Sequence, residues 1–114
     1  MIREAKISDV QAIYDLIVEL AIYEKEPDAV VASVEHIQEN LFGVNPVAYC
    51  HVAEDNGVVV GISIWFLNYS TWVGKPGIYL EDLYVDPAFR GKGYGLAFLK
   101  ELAKFSYTSS RRPS

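Results

Sequence analysis

The chain has 114 residues, 51% of them hydrophobic and 22% charged, which fits one globular domain rather than a disordered chain. No uncharged apolar run reaches the ~18 residues of a membrane span, and the opening MIREAKISD lacks the apolar core of a signal peptide. The net charge of −5 is uneven, with four basic residues against fourteen acids in residues 1–89 and six against Glu101 in residues 90–114, which argues against general nucleic-acid binding and leaves open a cationic partner or a merely solvated acidic surface.

A short strand is expected at Ile2–Ala5. Ser8 and Gln11 have capping-box spacing, and Val10, Ile13, Ile17, Leu20 and Ala21 share one helical face, so the spacing predicts a helix from about Asp9 to Glu24. Ser33 as cap, Ile37 and Leu41 on one face and Gly43 as stop predict a short second helix. The period then changes to that of strands. VAYCHVAED and VVVGISIWFL read as a hairpin turning at Asn56-Gly57. Asn68–Gly77 reads as a loop, Ile78–Val85 as a third strand, and a third long helix follows the glycines, with Leu96, Leu99, Leu102 and Ala103 on one face. The order is α-α-β-β-β-α, an α/β (α+β) domain over residues 1–107, with residues 108–114 a divergent or disordered tail that leaves the helical period.

Cys50 alone rules out an internal disulfide and reads as a buried thiol in a reducing, cytoplasmic setting. His36 and His51 lack spaced acidic or cysteine partners, so no metal site is expected. Trp65 and Trp72 read as core and loop packing.

The segment YVDPAFRGKGYGLAFLKELAK places Gly91, Gly93 and Gly95 directly before a helix, although glycine there costs roughly 1 kcal/mol per residue relative to alanine. A strand, a glycine turn and a helix N-terminus form an anion site, because first-turn amides point outward at the positive end of the macrodipole. Arg90 and Lys92 add charge to the same turn. An ordinary strand–helix turn that merely needs glycine remains the alternative. The Walker pattern is absent, and Leu96 stands where the third glycine of a dinucleotide fingerprint belongs.

RGKGYG (Arg90–Gly95) resembles the R/Q-x-x-G-x-G/A signature of GNAT-type N-acetyltransferases. ELAIYEKEPD, WVGKPGIYLEDLYV and FRGKGYG together resemble the spermidine/spermine (diamine) branch, over about Ile2 to Ala103. The resemblance implies a mixed or antiparallel sheet flanked by helices, here lacking the C-terminal strands. It implies acetyl-CoA as cosubstrate, with its pyrophosphate on Arg90, Gly91, Lys92, Gly93, Tyr94, Gly95 and Leu96, and its pantetheine arm on the backbone of Leu83, Tyr84 and Val85. A β-bulge at the latter would splay the strand and expose an amide to an oxyanion.

The resemblance further implies a small cationic amine held by Tyr23, Glu24 and Glu81, with Glu81 a possible base through water. By strand alternation Glu81 and Asp82 face opposite sides of the sheet, and Asp82 then reads as structural. A salt bridge or turn cap is the alternative role for either. The family's usual tyrosine acid lies in a segment beyond this helix, which FSYTSSRRPS does not resemble; a shifted reading frame or a truncation would both produce such an ending. The expectation is therefore an N-acetyltransferase for a polyamine, diamine or related amino acid, or else an impaired CoA-binding remnant, assembled as a homodimer or larger.

Overall fold

A computed structural model describes residues 1–110 and the side chains of residues 1–104. Strand β1 (Ile2–Glu4) leads through a 3-10 turn (Ile7–Asp9) into α1 (Val10–Tyr23), followed by α2 (Val34–Phe42). Strands β2 (Tyr49–Asp55), β3 (Val58–Ser70) and β4 (Lys75–Val85) come next, then a second 3-10 turn (Pro87–Phe89) and α3 (Tyr94–Ser110). The sheet has the order β1-β2-β3-β4 and is antiparallel at every pairing.

Alternation along the strands divides the core between two faces. Val52, Ile62, Ile64 and Cys50 pack on Ile13 and Leu16 of α1, with Ile37 and Leu41 of α2 beside them. Ala53 and Val60 pack on Phe98 of α3. Burial pushes the Cys50 thiol up to about 12, which makes it the inert core thiol the sequence suggested.

Several expectations are corrected. Ser8 and Gln11 form no capping box: Asp9 accepts from the Lys6 amide at 2.7 Å, and Gln11 donates instead to Asp15. Arg3 then grips Asp9 with both terminal nitrogens, at 2.8 and 3.0 Å, and Glu54 through Nε at 2.8 Å. This ties β1 to the start of α1 and holds the Asp9 carboxyl below the usual carboxylate range. At α2 the Ser33 cap is present, and His36 completes it by accepting from the Ser33 amide.

Asn68–Gly77 is not a loop. Asn68, Tyr69 and Ser70 pair with Gly77, Pro76 and Lys75, so the β3–β4 hairpin runs on to a turn at 71–74. Pro76 is tolerated because β4 is an outer strand, paired on one side only among the described residues. Trp72 at that tip is 95% exposed rather than packed, whereas Trp65 is buried against Tyr49 and His51.

The inward face of α3 is also different from the expected stripe. Phe98 and Leu102 are buried, one turn apart, while Leu96 and Leu99 remain exposed. The sheet contributes Gly61 at the point of contact, where a Cβ would lie 3.2 Å from the Phe98 ring, and this close approach selects the Phe98 side of the helix. The helix continues through residues 108–110 of the expected tail. Residues 111–114 of that tail lie outside the described residues.

Candidate active site

The end of β4 feeds Asp86, whose carboxylate caps the following 3-10 turn through the Ala88 amide at 2.9 Å. The chain then turns at Gly91 (φ 86°) and Gly93 (φ 84°), left-handed conformations that side-chain-bearing residues rarely adopt. Ala97 makes the first intrahelical bond of α3, to the Gly93 carbonyl. The amides of Tyr94, Gly95 and Leu96 stand ahead of it without an intrahelical acceptor. Gly95 has no positive φ, and a Cβ there would meet no protein atom within 4 Å. Nothing in the chain itself requires glycine at Gly95. The space beside it is open.

That space belongs to a cavity of about 590 Å³ lined by Leu20, Tyr23 and Glu24 from α1, Leu83, Tyr84 and Val85 from β4, and Arg90, Gly91, Gly93, Tyr94 and Gly95 from the turn. The Arg90 guanidinium lies 4.8 Å from the Tyr23 ring centroid and 5.4 Å from that of Tyr84, and its Nε donates to the Val85 carbonyl at 3.0 Å. Arg90 thus lies against two aromatic rings of the cavity lining. The Tyr84 hydroxyl donates to Glu19 at 3.4 Å, and burial together with Glu19 pushes this phenol up.

A second cavity, about 430 Å³, adjoins the first through Leu20 and Glu24. Its wall carries Glu24, Glu26, Glu81 and Asp82 over an apolar floor of Ile17, Leu20 and Ala21. Here the sheet corrects the alternation argument. Ile64 pairs with Asp82 and Trp65 with Leu80, so Glu81 is the extra residue of a β-bulge. The bulge breaks the two-residue period and brings both carboxylates to one cavity. The register through Leu83, Tyr84 and Val85 is regular, so the bulge lies earlier in the strand than expected. Burial, reinforced by the nearby Glu81 and Glu24 charges, pushes the Asp82 carboxyl up.

The Acetyltransferase (GNAT) family profile matches residues 10–109. The chain belongs to the GNAT family. It is 44% identical over 112 residues to the thialysine N-epsilon-acetyltransferase of Bos taurus, covering 91% of this chain and 65% of that protein, and 40% identical to the Mus musculus counterpart over 90% and 65%. Against the human spermidine/spermine N(1)-acetyltransferase-like protein 1 it is 36% identical, over 95% of this chain and 16% of that one. The chain thus spans just under two thirds of the length of the thialysine acetyltransferases it matches. The ribosomal-protein-alanine N-acetyltransferase of Brucella melitensis biovar Abortus 2308 shares the fold at a TM-score of 0.77 and 20% identity, over 96% of this chain and 73% of that one.

On this GNAT chain the glycine turn fits a pyrophosphate: free amides, two left-handed glycines and a cradle at Gly95 that a side chain would fill. Of the thirteen site residues singled out from the sequence, eleven line one cavity or the other. Lys92 and Leu96 do not. Leu96 is exposed, and the Lys92 ammonium lies 3.4 Å from Asp55 and 5.1 Å from the Phe89 ring centroid. Two residues were missed. Asp82 was assigned to the wrong face by alternation, and Asp55, which accepts from the Tyr94 hydroxyl at 2.7 Å, carried no signal beyond its place before the Asn56-Gly57 turn. Among the described residues no group of three or more His, Cys, Asp or Glu forms a metal cluster, and no helix is long and apolar enough to cross a membrane.

Proposed function

We propose that this chain binds acetyl-CoA at the Arg90–Leu96 turn and passes the acetyl group to a primary amine of a small polycation, a polyamine, a diamine or a related amino acid, seated in the carboxylate cleft. The contiguity of the two cavities through Leu20 and Glu24 carries this reading, since one is walled by anion-seeking amides and the other by acids. The names of the matched relatives support an amine acceptor.

Bound acetyl-CoA supplies a thioester carbonyl that a neutral amine attacks directly, without an acyl-enzyme, because Cys50 is buried and protonated. The chain's own residues prepare that attack. Glu24, Glu26, Glu81 and Asp82 hold an ammonium, while Ile17, Leu20 and Ala21 take its methylenes. Asp82, raised by burial, is suited to accept the ammonium proton, with Glu81 acting through water from its exposed bulge.

A second reading, CoA binding with little turnover, is favoured by the state of the two nearby phenols. Tyr84 is engaged by Glu19 and Tyr94 by Asp55, and both are pushed up, so neither readily gives a proton to the departing thiolate. Titration calorimetry with acetyl-CoA decides the binding step: the wild-type chain and Glu35→Ala bind, and Gly93→Val, strained at φ 84°, does not. Equal binding by wild type and Gly93→Val would overturn the site. Spermidine, diaminopropane and thialysine assays then separate turnover from binding alone. We further infer a cytoplasmic homodimer or larger assembly through the outer edge of β4 or the exposed Leu96 and Leu99 of α3, which sedimentation equilibrium tests against a 12.8 kDa monomer.

A further inference from the structure

The glycine turn faces a conformational problem that its own residues do not solve. Gly91 and Gly93 flank Lys92 in left-handed conformations, with open space where a Cβ would stand on either. Glycine is the residue with the most backbone freedom to lose. A cradle of amides receives an anion well only if its donors already point the right way.

One side chain from a distant element grips the turn on both sides of Gly93. Asp55 ends β2, where Asn56 (φ 52°) and Gly57 (φ 80°) make a tight two-residue hairpin, so its backbone is fixed by the sheet. Its Oδ2 accepts from the Tyr94 hydroxyl at 2.7 Å and from the Lys92 ammonium at 3.4 Å, across 39 and 37 residues of chain. Its side chain is 13% exposed.

We propose that Asp55 is a positioning residue for the anion-binding turn: by holding Lys92 and Tyr94 together it fixes the backbone at Gly93 and presets the amides of the α3 N-terminus. This rests on the reading of that turn as an acetyl-CoA site, and it makes an electrostatically counterintuitive statement. A carboxylate beside a polyanion site repels the ligand, so removing it ought to strengthen binding. Positioning requires the opposite, because the turn loosens.

The test uses the full chain in four forms: wild type, Asp55→Ala, Asp55→Asn and Tyr94→Phe. Asparagine keeps an acceptor for the tyrosine hydroxyl without the charge. In the ligand-free protein, backbone ¹⁵N order parameters of Lys92–Leu96 should fall from about 0.85 to below about 0.6 in Asp55→Ala and stay high in Asp55→Asn, with the β2 and β3 amides unchanged. Acetyl-CoA affinity by calorimetry should fall about tenfold in Asp55→Ala, the scale of one ordering hydrogen bond, and be restored to within about threefold by Asp55→Asn. Tyr94→Phe removes one of the two grips and should show the same loosening even if Asp55→Ala does not fold.

An unchanged turn in Asp55→Ala, or in Tyr94→Phe should the alanine variant not fold, would overturn the proposal, as would tighter acetyl-CoA binding by Asp55→Ala. If wild type binds no acetyl-CoA, the functional reading fails by itself, and the order parameters still decide the role of Asp55.

Discussion

The two cavities are built by different means. The cavity at the glycine turn owes its anion-seeking end to backbone: amides with no intrahelical acceptor, two left-handed glycines and an open position at Gly95. The neighbouring cleft is made of side chains, four carboxylates over an aliphatic floor, carried on a bulged strand and the end of a helix. Backbone sites tolerate no added bulk but are indifferent to charge substitutions some distance away. Side-chain sites respond to each lost charge and are indifferent to conformational propensity. Substitution should therefore separate them.

The largest effect is expected in the cleft. Replacing both Glu81→Gln and Asp82→Asn should lower turnover by roughly 10²–10⁴-fold, the usual worth of proton transfer by a positioned group, with acetyl-CoA affinity changed by less than about twofold. Steady-state rates alongside calorimetry measure this, and a parallel loss of cofactor affinity would show that the two cavities are not separate.

Next comes the support that both share. Phe98 is 1% exposed beneath α3, and Phe98→Ala should cost about 3–5 kcal/mol in denaturant unfolding, enough to remove both activities together. A loss under about 1 kcal/mol would mean that α3 is held elsewhere.

Gly95→Leu sharpens the comparison most. Leucine is a better helix former than glycine, and a Cβ there meets no protein atom, so the ligand-free chain should gain roughly 0.5–1 kcal/mol. The same side chain fills the cradle, so acetyl-CoA affinity should fall at least about tenfold. Stability up and binding down identifies a position kept open for a ligand. Unaltered binding would place the phosphates elsewhere.

The smallest effect is a pH dependence belonging to neither cavity. His51 is buried, accepts from Trp65 Nε1 at 3.3 Å, and burial lowers its pKa. The unfolded chain therefore takes up this proton at a higher pH than the folded one, and stability is full above about 6.5 and declines as pH falls toward the lower folded value. Urea unfolding at pH 7.5 and 5.5 should show the decline, and His51→Gln should flatten it.

The glycine turn was legible because its requirements are local. Positive φ, free amides and a following helix all leave their mark within Arg90–Gly95, and the family resemblance sharpened that reading. The cleft was half legible. The resemblance implied Glu24 and Glu81, which line it, and Tyr23, which lines the glycine-turn cavity instead; Asp82 was placed on the wrong face because a bulge is set by pairing with β3, not by the residues of β4 alone. The inward stripe of α3 was misassigned for a related reason. Leu96, Leu99 and Leu102 satisfy helical spacing as well as Phe98 and Leu102 do, and only the close approach at Gly61 chooses between them. The long β3–β4 hairpin was hidden because Gly74, Pro76 and Gly77 are loop residues by composition, and edge position is what lets Pro76 pair.

Trp65 and Trp72, the two tryptophans of the chain, sit on the same strand pair with opposite surroundings, 4% and 95% exposed. They make the protein its own two-colour thermometer. Iodide should quench the red-edge emission of Trp72 and spare the blue-edge emission of Trp65, so one spectrum follows the hairpin tip and the sheet interior at once. During thermal melting the Trp65 band should shift red at the cooperative transition, while the Trp72 band, already in water, stays where it began.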